Sequence, residues 1–122
     1  MAQIDTYRDL QIWQRSMDLA VACYDSSRQL PDSERYGLCS QIRRAATSIP
    51  ANIAEGHGRE LPGSFIQHLR ISQGSLKELE TLLLLAQRLE MIKLPSVTPL
   101  LAECDEIGRM IRALIRAMQA NT

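Results

Sequence analysis

The chain of 122 residues fits one domain and is long enough to bury a true apolar core. Hydrophobic residues make up 45% but aromatics only 4%, so that core is built mainly from Leu, Ile, Ala and Met, a composition suited to packed helices rather than sheet. Fourteen basic residues balance fourteen acidic ones for a formal net charge of zero, which removes any whole-chain attraction to nucleic acid, although twelve of the bases are arginine, the residue of hydrogen-bonded pairs and interfaces.

Helix one is predicted over 9–29. Leu10, Trp13, Met17, Val21 and Tyr24 form one apolar stripe, and Ile12, Leu19 and Cys23 form a second beside it. Leu30-Pro31-Asp32-Ser33 breaks the pattern and offers Asp32 or Ser33 as the cap of helix two, predicted over 33–56. The rest of the chain is organised around this helix. Leu38, Ile42, Ala45, Ala46, Ile49 and Ile53 keep a helical beat, while Gln41, Arg44, Ser48, Asn52 and Glu55 step along a second, wholly polar face. Pro50 removes one backbone hydrogen bond and crowds the Ala46 carbonyl, so a kink is expected, with Thr47, Ser48 or water meeting the freed oxygen. Gly56-His57-Gly58 is expected to end the helix through a left-handed turn.

Pro62 opens helix three, predicted over 62–92. Phe65, Leu69, Ser72, Leu76, Leu79, Leu83 and Ala86 alternate spacings of four and three in a coiled-coil-like heptad, and Leu82, Leu85, Leu89 and Ile92 add a second apolar face. A turn at Lys93-Leu94-Pro95-Ser96 follows. Thr98 as cap and Pro99 at the first helical position then start helix four, predicted over 98–119 on Leu101, Cys104, Ile107, Met110, Ile111, Leu114 and Met118. Four long helices with short connections predict an all-α, antiparallel up-down four-helix bundle spanning 1–122 as a single domain. Helices one and three carry more apolar surface than a four-helix core requires, which predicts a subunit interface.

Little in the chain points to catalysis. Neither His57 nor His68 has an acid three positions before it, as a di-iron bundle would require, and Cys23, Cys39 and Cys104 lack the spacing of a zinc site. Gly56-His57-Gly58 has no following Lys-Ser/Thr to make it a phosphate loop, and no serine or cysteine stands in a nucleophile turn. The expectation is a non-enzymatic protein with no cofactor or metal. Three scattered cysteines read as free thiols of a reducing compartment. The start, Met1-Ala2-Gln3-Ile4-Asp5, is unlike a signal peptide, and no apolar run approaches the ~20 residues of a membrane span. A cytoplasmic protein without a membrane partner is therefore expected.

Two polar constellations remain. The row Gln41, Arg44, Ser48, Asn52 and Glu55 is expected to form a hydrogen-bonded seam, inside the bundle or between subunits, with Arg44 pairing to Glu55 or to Glu78 on helix three. Its alternative is a solvated face. On helix four, Arg109, Arg112 and Arg116 make a basic stripe, either complementing the helix dipole or meeting nucleic acid.

Several of these segments resemble the signature of one bacterial family: Leu10-Gln11-Ile12-Trp13-Gln14, Tyr36-Gly37-Leu38, Ser40-Gln41-Ile42-Arg43-Arg44-Ala45, Ser48-Ile49-Pro50, Asn52-Ile53-Ala54-Glu55-Gly56, Gly58-Arg59, Gly74-Ser75-Leu76 and Glu78-Leu79-Glu80. This is the four-helix-bundle family named for proteins encoded in intervening sequences of 23S ribosomal RNA genes. The chain is also similar to the accessory variability protein of diversity-generating retroelements, a basic pentamer that binds RNA and a reverse transcriptase. The resemblance implies a bundle that assembles as a homopentameric ring, carries no enzymatic activity, and takes RNA or a protein as its partner.

Overall fold

Leucine and isoleucine at helical spacing converge on one interior. The computed structural model describes residues 6–121 and folds them into helices with no strand among them. A 3-10 turn at Tyr7–Asp9 leads into α1 (Gln11–Ser27), a second at Asp32–Glu34 into α2 (Leu38–Gly58), and α3 (Pro62–Arg88) and α4 (Leu94–Ala120) complete the chain. Helix α1 packs on α2 and α4, α3 packs on the same two, and the diagonal pairs do not meet. Cross-helix bonds fix the direction. Arg15 reaches Glu103 while Gln29 reaches Ser96, and Ser48 meets Ser75 while Asn52 meets His68, so each neighbour runs antiparallel. The four-helix bundle expected from the pattern is the fold observed.

Its core is Ile12, Leu19, Ile42, Ile49, Ile53, Leu69, Leu76, Leu79, Leu83, Ile107 and Ile111 with their neighbours, each at most 5% exposed. The heptad positions of α3 from Leu69 to Ala86 all point inward, and Phe65 is partly covered. The two stripes of α1 divide. Ile12, Leu19 and Cys23 enter the core, whereas Met17, Val21 and Tyr24 remain exposed.

Helix ends depart from expectation for identifiable reasons. Neither Asp32 nor Ser33 caps α2. Both lie inside a 3-10 turn, and the Glu34 carboxylate instead accepts from the Leu38 amide at 3.0 Å, so α2 begins at Leu38. It then runs unbroken through Pro50 to Gly58. The Thr47 hydroxyl turns back to the carbonyls of Arg43 and Arg44, and that of Ser48 turns to Ser75, so neither serves the Ala46 carbonyl. The left-handed residue after α2 is Glu60 at φ 61°, and no glycine has positive φ. Gly56 is required by packing, since a Cβ there would lie 2.5 Å from the His68 Cβ. Helix α3 closes at Arg88, with Glu90 at φ 60° turning the chain and Ile92 buried at 3% in the connection. Helix α4 starts a turn early at Leu94. Thr98 is therefore no cap: its hydroxyl donates to the Leu94 carbonyl, and Pro99 sits inside the helix.

Candidate functional site

On the outer side of the α1–α2 pair the two helices leave a groove of about 450 Å³. Trp13, Met17, Val21 and Tyr24 come from α1, and Pro50, Ala51 and Ala54 from α2. The sequence produces it directly. Residues at spacings of four, four and three keep the large α1 side chains on one face, and the α2 positions opposite carry only small residues or proline. Tyr7 packs edge-on against Trp13 at 5.3 Å and closes one end, and the Arg28–Asp25 ion pair at 2.9 Å marks the other. Val21 is 61% exposed and Met17 41%.

The polar row of α2 splits in two. Ser48 and Asn52 face α3 and build a seam: the Asn52 amide nitrogen donates to the Ser48 carbonyl at 2.9 Å and hydroxyl at 3.0 Å, and Ser48 and Ser75 share a hydrogen bond at 2.9 Å. His68, 9% exposed, donates from Nδ1 to the Asn52 side-chain oxygen at 3.0 Å, an oxygen that can only accept. Its other neighbour is the Glu55 carboxylate at 3.4 Å, and the buried Ser72 hydroxyl bonds the Ile49 carbonyl. Glu55 itself stands half out, also reaching Arg59 at 3.4 Å.

Gln41, Arg44 and Glu78 are exposed. Arg44 lies one turn before Ser48 and Glu78 one turn after Ser75, so the two share a register across the helices, yet Arg44 joins neither Glu78 nor Glu55 in an ion pair among the described residues. The expected Arg44 pairing inside the bundle is absent, and the seam is closed instead by His68.

The arginine stripe of α4 is exposed. Arg109 pairs with Asp105 at 3.1 Å, four residues earlier, while Arg112 and Arg116 have no carboxylate partner among the described residues. An ion pair with two parallel bonds joins α1 to α4 instead: Arg15 donates to Glu103 at 2.8 and 2.9 Å, and that hydrogen bonding raises the arginine's pKa above its ordinary value. Nothing in the sequence marked it beyond an arginine on one helix and a glutamate on another.

Among the described residues the cysteines are free thiols, no cluster of His, Cys, Asp or Glu has the arrangement to hold a metal, and no helix is long and apolar enough to cross a membrane. Burial pushes the thiols of Cys23 and Cys104 up to about 12.

A family model described as 23S rRNA-intervening sequence protein matches residues 8–113. Among solved structures the chain is similar to a protein of unknown function from the S23 ribosomal protein family of Bacteroides thetaiotaomicron, with 27% identity and a TM-score of 0.78 over 85% of this chain and 97% of that one. No curated protein matches.

Proposed function

Because the chain belongs to the 23S rRNA-intervening sequence protein family, we propose that it is a non-enzymatic, cytoplasmic binding or scaffold protein that works as a homo-oligomer, with the α1–α2 groove as one half of its subunit contact. The observation that carries this reading is the uncovered groove itself, in which Met17, Val21 and Tyr24 stand in water on an otherwise well-packed bundle. A second apolar face supports it. Ile71, Leu84, Leu85 and Leu89 on and just after α3 are each 44–51% exposed, and α3 is the helix diagonal to α1. Two unlike faces on different sides of one chain can cover each other in a neighbouring copy. Such a head-to-tail contact repeats by rotation; a rotation that closes makes a ring, and one that does not makes an open filament. Five subunits is the number implied by the resemblance to the pentameric relatives.

Light scattering at micromolar concentration tests the assembly. An oligomer is expected for the native chain, with Val21→Glu and Leu85→Glu each giving folded, smaller species, because a charge set in an apolar contact is strongly penalised. A native chain that runs as a stable 13.7 kDa monomer refutes the proposal.

A further inference from the structure

Three guanidinium groups without a carboxylate partner meet at the corner where α1 hands over to α2. Tyr24 from α1, Arg35 and Tyr36 from the connection, and Ser40, Arg43 and Arg44 from α2 line a hollow of about 390 Å³ that contains no acidic residue. Of the acids near this corner, Asp25 holds Arg28 at 2.9 Å and Glu34 accepts the Leu38 amide, while Asp32 lines an adjoining hollow that Arg35 and Arg43 also border and makes no ion pair with either. Arg15, Arg28, Arg59 and Arg109 each have a carboxylate, whereas Arg35, Arg43 and Arg44 have none among the described residues. Arg43 is held in place. Its Nε donates to the Ser27 hydroxyl at 2.9 Å and its guanidinium lies 4.7 Å over the Tyr24 ring, so its terminal nitrogens remain open to an acceptor. Tyr36, at 90% exposure, offers a whole aromatic ring to solvent.

This arrangement fits a specific chemistry. Guanidinium groups bind phosphate through paired N–H donors at fixed geometry, and an uncovered tyrosine ring takes the flat face of a nucleobase. We propose that the hollow binds a phosphorylated nucleoside, either as a free nucleotide or as one nucleotide unit of a single strand. Arg35, Arg43 and Arg44 hold the phosphate and Tyr36 stacks on the base. The side chains come from one subunit, so binding does not depend on the assembly proposed above, and a monomer would still be expected to bind. Net neutrality is no obstacle, because phosphate answers to the local cluster and not to the sum over the chain.

The test is calorimetric titration of the full chain at low salt with AMP, adenosine, inorganic phosphate, O-phosphotyrosine and a short oligouridylate. AMP is expected to bind, with adenosine and phosphate each weaker by about tenfold or more, since each forfeits either the charge-assisted bonds or the stacking. Arg35→Gln and Arg44→Gln should each weaken AMP by about tenfold, and Tyr36→Ala by a similar factor. Arg44→Lys should retain part of the affinity. The three substituted positions, Arg35, Tyr36 and Arg44, lie on the surface and circular dichroism verifies folding; Tyr36→Leu replaces Tyr36→Ala if the latter misfolds. Tight AMP binding identifies a free nucleotide. Binding of the oligouridylate alone, with a salt slope that shrinks in the Arg35→Gln/Arg44→Gln variant, identifies a strand. The proposal is overturned if neither probe binds at millimolar concentration, if phosphate or O-phosphotyrosine binds as well as AMP, or if the substitutions leave the affinity unchanged.

Discussion

Replacing Asn52 by alanine removes three hydrogen bonds at once: those from its amide nitrogen to the Ser48 carbonyl and hydroxyl, and the one its side-chain oxygen accepts from His68. The damage is uneven. The Ser48 hydroxyl keeps Ser75 at 2.9 Å, but the nearly buried Nδ1–H of His68 retains only Glu55, at 3.4 Å and half exposed. Losing the net value of one bond costs about 1 kcal/mol, and stranding a buried donor adds about 1–2 kcal/mol, for an expected loss of about 2–3 kcal/mol. A domain of this class has only ~5–15 kcal/mol of stability, so the loss is large. In urea, with a slope of ~2 kcal/mol per molar, it appears as a midpoint lower by roughly 1–1.5 M. The measurement is circular dichroism at fixed protein concentration, because assembly adds stability by mass action. Gln41→Ala, on the exposed end of the same polar row, serves as control and should change stability by under about 0.5 kcal/mol. Should Asn52→Ala fall inside that same window, the seam would be a passive surface feature and the reasoning would fail.

Other substitutions separate packing from propensity. Gly56→Ala should destabilise by about 1–2 kcal/mol in the same urea assay, since overpacking against the His68 Cβ outweighs the ~1 kcal/mol gain in helix propensity, whereas Gly74→Ala, with open space around it, should gain close to that ~1 kcal/mol. Arg44→Ala should cost less than about 0.5 kcal/mol, as for an exposed residue with no ion pair. Cys39, only half buried, should react first with a thiol reagent at pH 8, while Cys23 and Cys104 react at the rate of unfolding. Their folded pKa values of about 12 lie above the ordinary 9.0, so the folded state holds its protons while the unfolded thiols release theirs. Stability is therefore unaffected below pH 9 and should decline between pH 9 and 12, by up to about 1.4 kcal/mol per pH unit for each thiol.

The bundle was legible because helical periodicity states which residues must be covered. It does not state by what. Both stripes of α1 read as equally apolar, yet Leu19 is 2% exposed and Val21 61%. The difference arises from the helix contacts, in which α1 touches α2 and α4 and has on its outer side only the Tyr7–Asp9 turn, packed over Trp13 at one end. Helix ends were misread for a local reason. Pro99 at a first helical position and Pro95 at a second are equally good starts, and the choice fell to Ile92 and Val97, buried at 3% and 0%, which anchor the turn and first coil of α4 inside the bundle.

The candidate sites were less legible because each depends on what stands opposite. Gln41, Arg44, Ser48, Asn52 and Glu55 share one face of α2, and no property of that face decides which of them is covered. The decision lies with α3. Opposite Ser48 and Asn52 it presents Ser75 and His68, which can answer a polar side chain, and just beside them the buried Ser72 hydroxyl ties α3 to the Ile49 carbonyl. One turn further, the position facing Arg44 carries Glu78, whose charge remains in water together with that of Arg44, since burying the pair would cost more desolvation than the attraction returns. The arginine hollow has the same origin on a larger scale. Arg35, Arg43 and Arg44 lie on a connection and a helix, and a count of fourteen against fourteen conceals that these three line one hollow with no acid in it. Charge balance is a sum over the chain, whereas recognition depends on the local remainder after every pair has formed.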